Sequence, residues 1–148
     1  MPQIDIKHLE SDTDIDASFS VMQELRPHLD RTTYAAQIVR QRAQGYRLLA
    51  AWQDGVIVGL AGYRLTENTL YGRFVYVDDL VVTSRLHRSG FGERLLQAAR
   101  QQAIALGCRH FVLDTGLHMA LAQRFYFRQG LLARGMHFVE PLNGGAQD

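Results

Sequence analysis

An α/β domain is the architecture this sequence predicts, with a mixed, mostly antiparallel central sheet flanked by helices, and three observations carry the prediction. Asp54-Gly55, a strong two-residue hairpin signal, joins two apolar stretches at 46–53 and 56–65. Residues 73–82 are nearly continuous in apolar character, as expected of a central strand buried on both faces. A helical stripe over 90–106 and a short apolar run at 111–115 then follow, with the order and length of a right-handed parallel βαβ crossover.

The remaining elements follow from local patterns. Ile4 and Ile6 alternate with Asp5 and Lys7, which predicts a short first strand. Ile15, Phe19, Met22 and Leu25 recur at spacings of three and four, a helix over 12–29 limited by Pro27. A second helix is expected over 32–44, with Thr32 or Thr33 as N-cap and Gly45 as its stop. The helix over 90–106 aligns Phe91, Leu95, Ala98, Ala99, Ala103 and Leu106 on one face and ends at Gly107. A last helix is expected at 119–129, ended by Gly130, and a last strand at 137–141. Residues 1–142 read as one domain and 143–148 as a flexible C-terminal tail.

Composition narrows the function. The 148 residues are 47% hydrophobic and 21% charged, in the ordinary globular range. Sixteen basic residues face fifteen acidic ones, so no global charge draws the chain to nucleic acid or to an anionic membrane. No stretch approaches the roughly 18 apolar residues of a membrane span, and the N-terminus lacks the basic and apolar regions of a secretory signal. One cysteine, Cys108, excludes an internal disulfide, and a cytoplasmic setting is expected. The six histidines form no ligand pair, so no metal site is expected.

The chemistry concentrates in one loop. After the 73–82 strand comes Arg85-Leu86-His87-Arg88-Ser89-Gly90-Phe91-Gly92, where a helix begins. The first turn of a helix leaves backbone N–H groups unpaired and carries partial positive charge. Glycine lets that backbone come close to a ligand, which suits a pyrophosphate. Arg85 and Arg88 can add charge, or can be solvated surface; the glycines can equally serve only a tight turn. Leu95 occupies the third glycine position of a dinucleotide fingerprint, and the chain has no Gly-Lys pair for a Walker loop.

The run Asp78-Asp79-Leu80-Val81-Val82 followed by His87-Arg88-Ser89-Gly90-Phe91-Gly92 resembles the acyl-CoA-binding motif of the GNAT N-acetyltransferase superfamily, Gln/Arg-x-x-Gly-x-Gly/Ala. Ala122-Gln123-Arg124-Phe125-Tyr126-Phe127-Arg128-Gln129-Gly130-Leu131 is similar to that family's second signature. A narrower, weaker likeness is to aminoalkylphosphonate N-acetyltransferases. Two positions depart from the pattern: His87 stands where the first motif has Gln or Arg, and Met119 where the family often has Asn.

The resemblance implies acetyl-CoA as cosubstrate and an amine as acceptor, joined by direct attack in a ternary complex. It assigns the pantetheine arm to the backbone of Leu80, Val81 and Val82, with an N–H at Leu80 or Val81 polarising the thioester carbonyl. The segment Leu86, His87, Arg88, Ser89, Gly90, Phe91 and Gly92 would hold the pyrophosphate, with Arg85 or Arg88 on it or on the 3′-phosphate. Tyr126 would protonate the leaving thiolate. Asp78 or Asp79 would accept the amine's proton or orient the amine, and strand alternation leads one to expect only one of the two on the acceptor side. Glu24, His28, Tyr34, His118 and His137 are further acceptor-side candidates, each of which reads more readily as ordinary surface or packing. Homodimers are common in the family. A non-catalytic acyl-CoA-binding regulatory module is the alternative the two departures leave open, and a nucleic-acid module is poorly supported by the charge.

Overall fold

The computed structural model describes residues 3–144. These form two compact units, one ending at Leu113 and the other beginning at Asp114.

The first unit holds a five-stranded sheet in sequential order: β1 (Asp5–His8), β2 (Tyr46–Gln53), β3 (Val56–Asn68), β4 (Gly72–Val82) and β5 (His110–Leu113). The first four strands pair antiparallel, and β5 joins β4 in parallel. The helices are α1 (Asp12–Leu25), α2 (Arg31–Ala43) and α3 (Phe91–Ala105). The mixed, mostly antiparallel sheet flanked by helices is therefore as predicted.

Local chemistry explains the helix boundaries. Ser11 Oγ accepts from the Asp14 N–H and caps α1. Asp30, not Thr32 or Thr33, caps α2 by accepting from the Thr33 N–H at 2.9 Å. α1 stops at Leu25 rather than running to Leu29, since Pro27 cannot donate to a helical ladder. At the end of α3 the Gly107 N–H reaches the Ile104 carbonyl and the Cys108 N–H reaches that of Ala103, the paired bonds of a Schellman cap.

The sheet separates two apolar clusters. On one face Leu49, Ala51, Ala61, Val75 and Val77 pack with Phe91, Leu95, Ala99 and Ala103 of α3. On the other, Leu48, Ala50, Ile57 and Leu60 pack with Ile15, Phe19 and Met22 of α1 and Tyr34 and Ile38 of α2. Burial of a single such Leu, Ile or Phe side chain is worth about 1.5–3 kcal/mol, so both faces hold the sheet firmly.

β4 contains a bulge. Gly62 pairs with Asp79 but Tyr63 pairs with Val77, so Asp78 is the extra residue. The bulge reverses the strand's parity. Val75 and Val77 face the α3 cluster before it, and Leu80 and Val82 pack there after it, while Val81 packs with the α1/α2 cluster.

The second unit holds α4 (Ala120–Arg128). The Gly130 N–H reaches the Phe127 carbonyl and the Leu131 N–H that of Tyr126, a second Schellman cap at the expected stop. The strand expected at 137–141 is not formed; that segment has no regular structure, and Phe138 and Val139 are exposed. A strand needs a partner edge to take its backbone bonds, and alternation alone does not provide one. Of the expected tail, Asn143 and Gly144 form a turn, and 145–148 lie outside the described residues. Among the described residues no helix is long and apolar enough to cross a membrane.

Candidate active site

A cavity of about 360 Å³ opens beside the bulge, lined by Arg26, Gln41, Arg64, Tyr76, Asp78 and Asp79. The expectation that only one of the two aspartates faces it is corrected by the bulge. Without the extra residue, Asp79 would share the α3 face with Val75 and Val77; with it, Tyr76, Asp78 and Asp79 converge on one site.

Both carboxylates are engaged. Arg64 holds Asp78 in a two-bond fork, Nε to Oδ2 at 3.0 Å and Nη2 to Oδ1 at 2.7 Å. The bond to Asp78 raises the Arg64 pKa above its already high ordinary value, so its charge is permanent. Arg26 donates to Asp79 Oδ1 from Nε and Nη2, and Nη2 also reaches the Asp78 carbonyl at 2.9 Å. The second oxygen of Asp79 accepts from the Tyr46 hydroxyl at 2.8 Å. Burial pushes the Asp79 carboxyl above its ordinary range, against the pull of the Tyr46 bond and the Arg26 charge. Burial, then the neighbouring Asp79 charge, raises the Tyr46 phenol well above 10, so it remains a donor.

Beyond this cavity the β5 side of β4 has no strand partner among the described residues. The last pairing of the two strands is Val77 with Leu113, yet β4 continues to Val82. On the opposite edge the Thr83 N–H bonds the Val58 carbonyl, and in an antiparallel ladder bonded pairs alternate. Val81 and Leu60 therefore form the next bonded pair, while the N–H and C=O of Leu80 and Val82 point away from β3, to the side where β5 has ended.

This edge runs into the loop. A 3₁₀ turn at Ser84–Leu86 is held from α1: Glu24 accepts from the Thr83 hydroxyl at 2.6 Å and from the Ser84 N–H at 2.9 Å. His87 turns its ring back and donates from Nε2 to the Val82 carbonyl at 2.9 Å, so a phosphate contact from that nitrogen would forfeit the bond. Arg88 (φ 68°) and Gly90 (φ 89°) are both left-handed, a geometry that gathers successive N–H groups on one concave side. Ser89 Oγ accepts from the Phe91 N–H. The first intrahelical bond of α3 runs from Arg94 to Gly90, so the N–H groups of Gly92 and Glu93 precede the ladder. Phe91 is buried in the α3 cluster and the partly buried Leu86 packs against it. Arg85 and Arg88 are exposed and, among the described residues, form no salt bridge.

In the second unit Tyr126 lies on α4, its ring edge-on to Phe125, and burial raises its phenol above the ordinary value. His137 pairs with Asp114 at 2.9 Å. Met119 is the N-cap of α4 and offers no side-chain cap bond.

Three further acceptor-side candidates lie outside the cavity lining. Tyr34 is a core residue whose hydroxyl meets Ser18 Oγ at 2.7 Å, with its pKa pushed up to about 12 by burial. Glu24 anchors the loop instead of lining the cavity, and His28 is exposed. Sequence reading missed Arg26, Arg64 and Tyr46. Arg64 carried a signal, since in an antiparallel hairpin it falls near the Asp78-Asp79 pair; Arg26 and Tyr46 carried none.

The profile of the acetyltransferase (GNAT) family matches residues 10–131. An uncharacterized N-acetyltransferase of Bacillus subtilis (strain 168), YhdJ, is 31% identical over 141 residues, 94% of this chain and 99% of its own. The aminoglycoside N-acetyltransferase AAC(6′)-Iy, solved in complex with CoA, superposes with a TM-score of 0.86 at 17% identity, over 96% of each chain. Glucosamine-6-phosphate N-acetyltransferase from Arabidopsis thaliana superposes with a TM-score of 0.76 at 17% identity, over 95% of this chain and 99% of the other. At such identities the two structures speak for the fold alone. With the family profile across most of the chain and a full-length relative above 30% identity, the chain belongs to the acetyltransferase (GNAT) family and is an acetyl-CoA-dependent N-acetyltransferase.

Proposed function

We propose that the protein transfers the acetyl group of acetyl-CoA to a primary amine by direct attack within a ternary complex. The observation that carries this reading is the continuity of the β4 edge at Leu80 and Val82 with the helix-start cradle at 86–92. An extended pantetheine arm can add to that edge as a strand would, using the N–H groups of Leu80 and Val82 and the Leu80 C=O, while the Val82 C=O is held by His87. The pyrophosphate then meets the N–H groups of Gly92 and Glu93, with the exposed guanidiniums of Arg85 and Arg88 adding charge.

Each residue has a role in the transfer. The Leu80 N–H donates to the thioester oxygen as negative charge develops there, where a preorganised donor counts most. The amine enters from the cavity at Tyr76, Asp78 and Asp79. Asp78, the more exposed of the two carboxylates at 19% against 12%, orients the ammonium and passes its proton to water. The neutral amine attacks the carbonyl carbon, the carbon–sulfur bond breaks, and Tyr126 gives its proton to the departing thiolate. The raised phenol pKa supports that role, because it keeps the proton in place across the working pH range. Aminoglycosides and sugar phosphates are acceptors named for the structural relatives; the cavity's lining bears on which class suits this chain.

Titration of the purified protein with acetyl-CoA, followed by thiol release in the presence of amines, tests the reading. Saturable micromolar binding that is lost on Arg88→Glu, together with amine-dependent thiol release, is the expected result. Binding without release across a broad amine panel would defeat the transfer step.

A further inference from the structure

The charges around the cavity are arranged in layers. Arg26 and Arg64 balance Asp78 and Asp79 one for one, so the lining carries no surplus of carboxylate. The carboxylates lie underneath: their side chains are 12% and 19% exposed, while Arg26 is 43% and Arg64 41% exposed. The arginines are thus the more exposed members of both ion pairs. Each guanidinium spends Nε and Nη2 on the aspartates and the Asp78 carbonyl, leaving Nη1 outside those bonds. Planar guanidinium edges of this kind are suited to a carboxylate, phosphate or phosphonate. A polycationic amine would find each carboxylate already paired with a guanidinium, with no surplus negative charge for its second ammonium. The volume, about 360 Å³, sits near the small end of ligand pockets.

Resting on the transferase reading above, we propose that the acceptor is a small amine that also carries an anionic group, with Arg26 and Arg64 holding the anion and Asp78 facing the ammonium. The distance between the guanidinium rim and the bulge then selects how far apart the two ends of the acceptor lie. Neither guanidinium takes part in bond making, so their effect belongs in acceptor binding.

The test uses the full chain, first titrated with acetyl-CoA and then assayed by thiol release with four amines of similar size: β-alanine, aminoethylphosphonate, propylamine and putrescine. The better of the two anion-bearing amines should exceed propylamine and putrescine by about tenfold or more in kcat/KM, chiefly through KM. Arg64→Gln and Arg26→Gln should each shrink that margin to about threefold or less, and the Lys replacements should restore part of it. Unchanged acetyl-CoA binding by each variant shows that it has folded. Acetyl-CoA binding with putrescine or propylamine as the best acceptor, with a margin that survives both Gln variants, or with neither anion-bearing amine bound or acetylated, overturns the proposal alone. Failure of the wild-type chain to bind acetyl-CoA overturns the transferase reading and this proposal with it.

Discussion

Tyr46 donates its hydroxyl hydrogen to Asp79 Oδ2 at 2.8 Å, through space that any side chain on Gly62 would occupy. A Cβ on Gly62 would overlap the Tyr46 hydroxyl and crowd its ring, and Tyr46 is itself buried. Gly62 is therefore required for its emptiness, opposite the bulge that presents Asp79. Gly62→Ala should destabilise the fold by about 1–3 kcal/mol, the usual cost of overpacking. Tyr46→Phe removes a buried bond to a charged acceptor and should cost about 1.5–3 kcal/mol. Urea unfolding of both variants checks these values, and a change below ~0.5 kcal/mol for Gly62→Ala would contradict the steric account.

The same aspartate sets a pH signature. Burial raises the folded Asp79 pKa above its ordinary value, so the native state keeps this proton at pH values where the unfolded chain has lost it. Stability contributed by this group must then fall as pH rises from the ordinary Asp value, ~3.9, through the raised folded value. Asp79→Asn abolishes that slope. The stability of the wild type minus that of the variant should decrease with rising pH across this window and level off above it. Urea midpoints measured at a series of pH values would show the trend; a difference that grows with pH would mean that the Arg26 and Tyr46 contacts outweigh burial.

Gly90 tests the cradle. A Cβ there meets nothing within 4 Å, so only its left-handed backbone (φ 89°) resists substitution. Gly90→Ala should cost roughly 1–2 kcal/mol of stability, the left-handed penalty for a residue with a side chain. Gly90→Val, with a stiffer branched side chain, should be worse and should weaken acetyl-CoA binding at least about tenfold as the loop relaxes. Calorimetry distinguishes the two effects, because affinity should fall more than a stability loss alone explains.

Tyr126→Phe removes the proposed acid while keeping the ring. The expected outcome is a kcat lowered by about 100-fold with acetyl-CoA affinity nearly unchanged. Because the phenol pKa is raised, the wild-type kcat should not decline on the alkaline side until pH exceeds the ordinary tyrosine value of ~10. A variant with wild-type kcat across the pH range would remove Tyr126 from the chemistry.

Most of the architecture was legible because it depends on short-range patterns. The Asp54-Gly55 turn sets the β2–β3 hairpin, the spacing of Phe91, Leu95, Ala99 and Ala103 sets α3, and Gly107 and Gly130 end their helices where expected. The predicted strand at 137–141 failed because strand formation depends on a partner elsewhere in the chain. The second helix was placed correctly, but its cap was shifted to Asp30, whose carboxylate reaches the Thr33 N–H from one residue before the helix.

By itself the sequence determined the order of elements, the helix-start loop with its Gly90 and Gly92, and the two motifs that mark the family, since each is written in neighbouring residues. Tertiary structure alone decided which side chains meet. The bulge at Asp78 reverses the strand's parity and turns both aspartates to one cavity, where period-two reasoning allowed only one. Arg26, 53 residues away in sequence, and Tyr46, 33 residues away, reach Asp79 only because α1 and β2 pack beside β4. A bulge and a long-range ion pair are settled by the balance of packing and desolvation across the whole sheet, and no local pattern of residues encodes that balance.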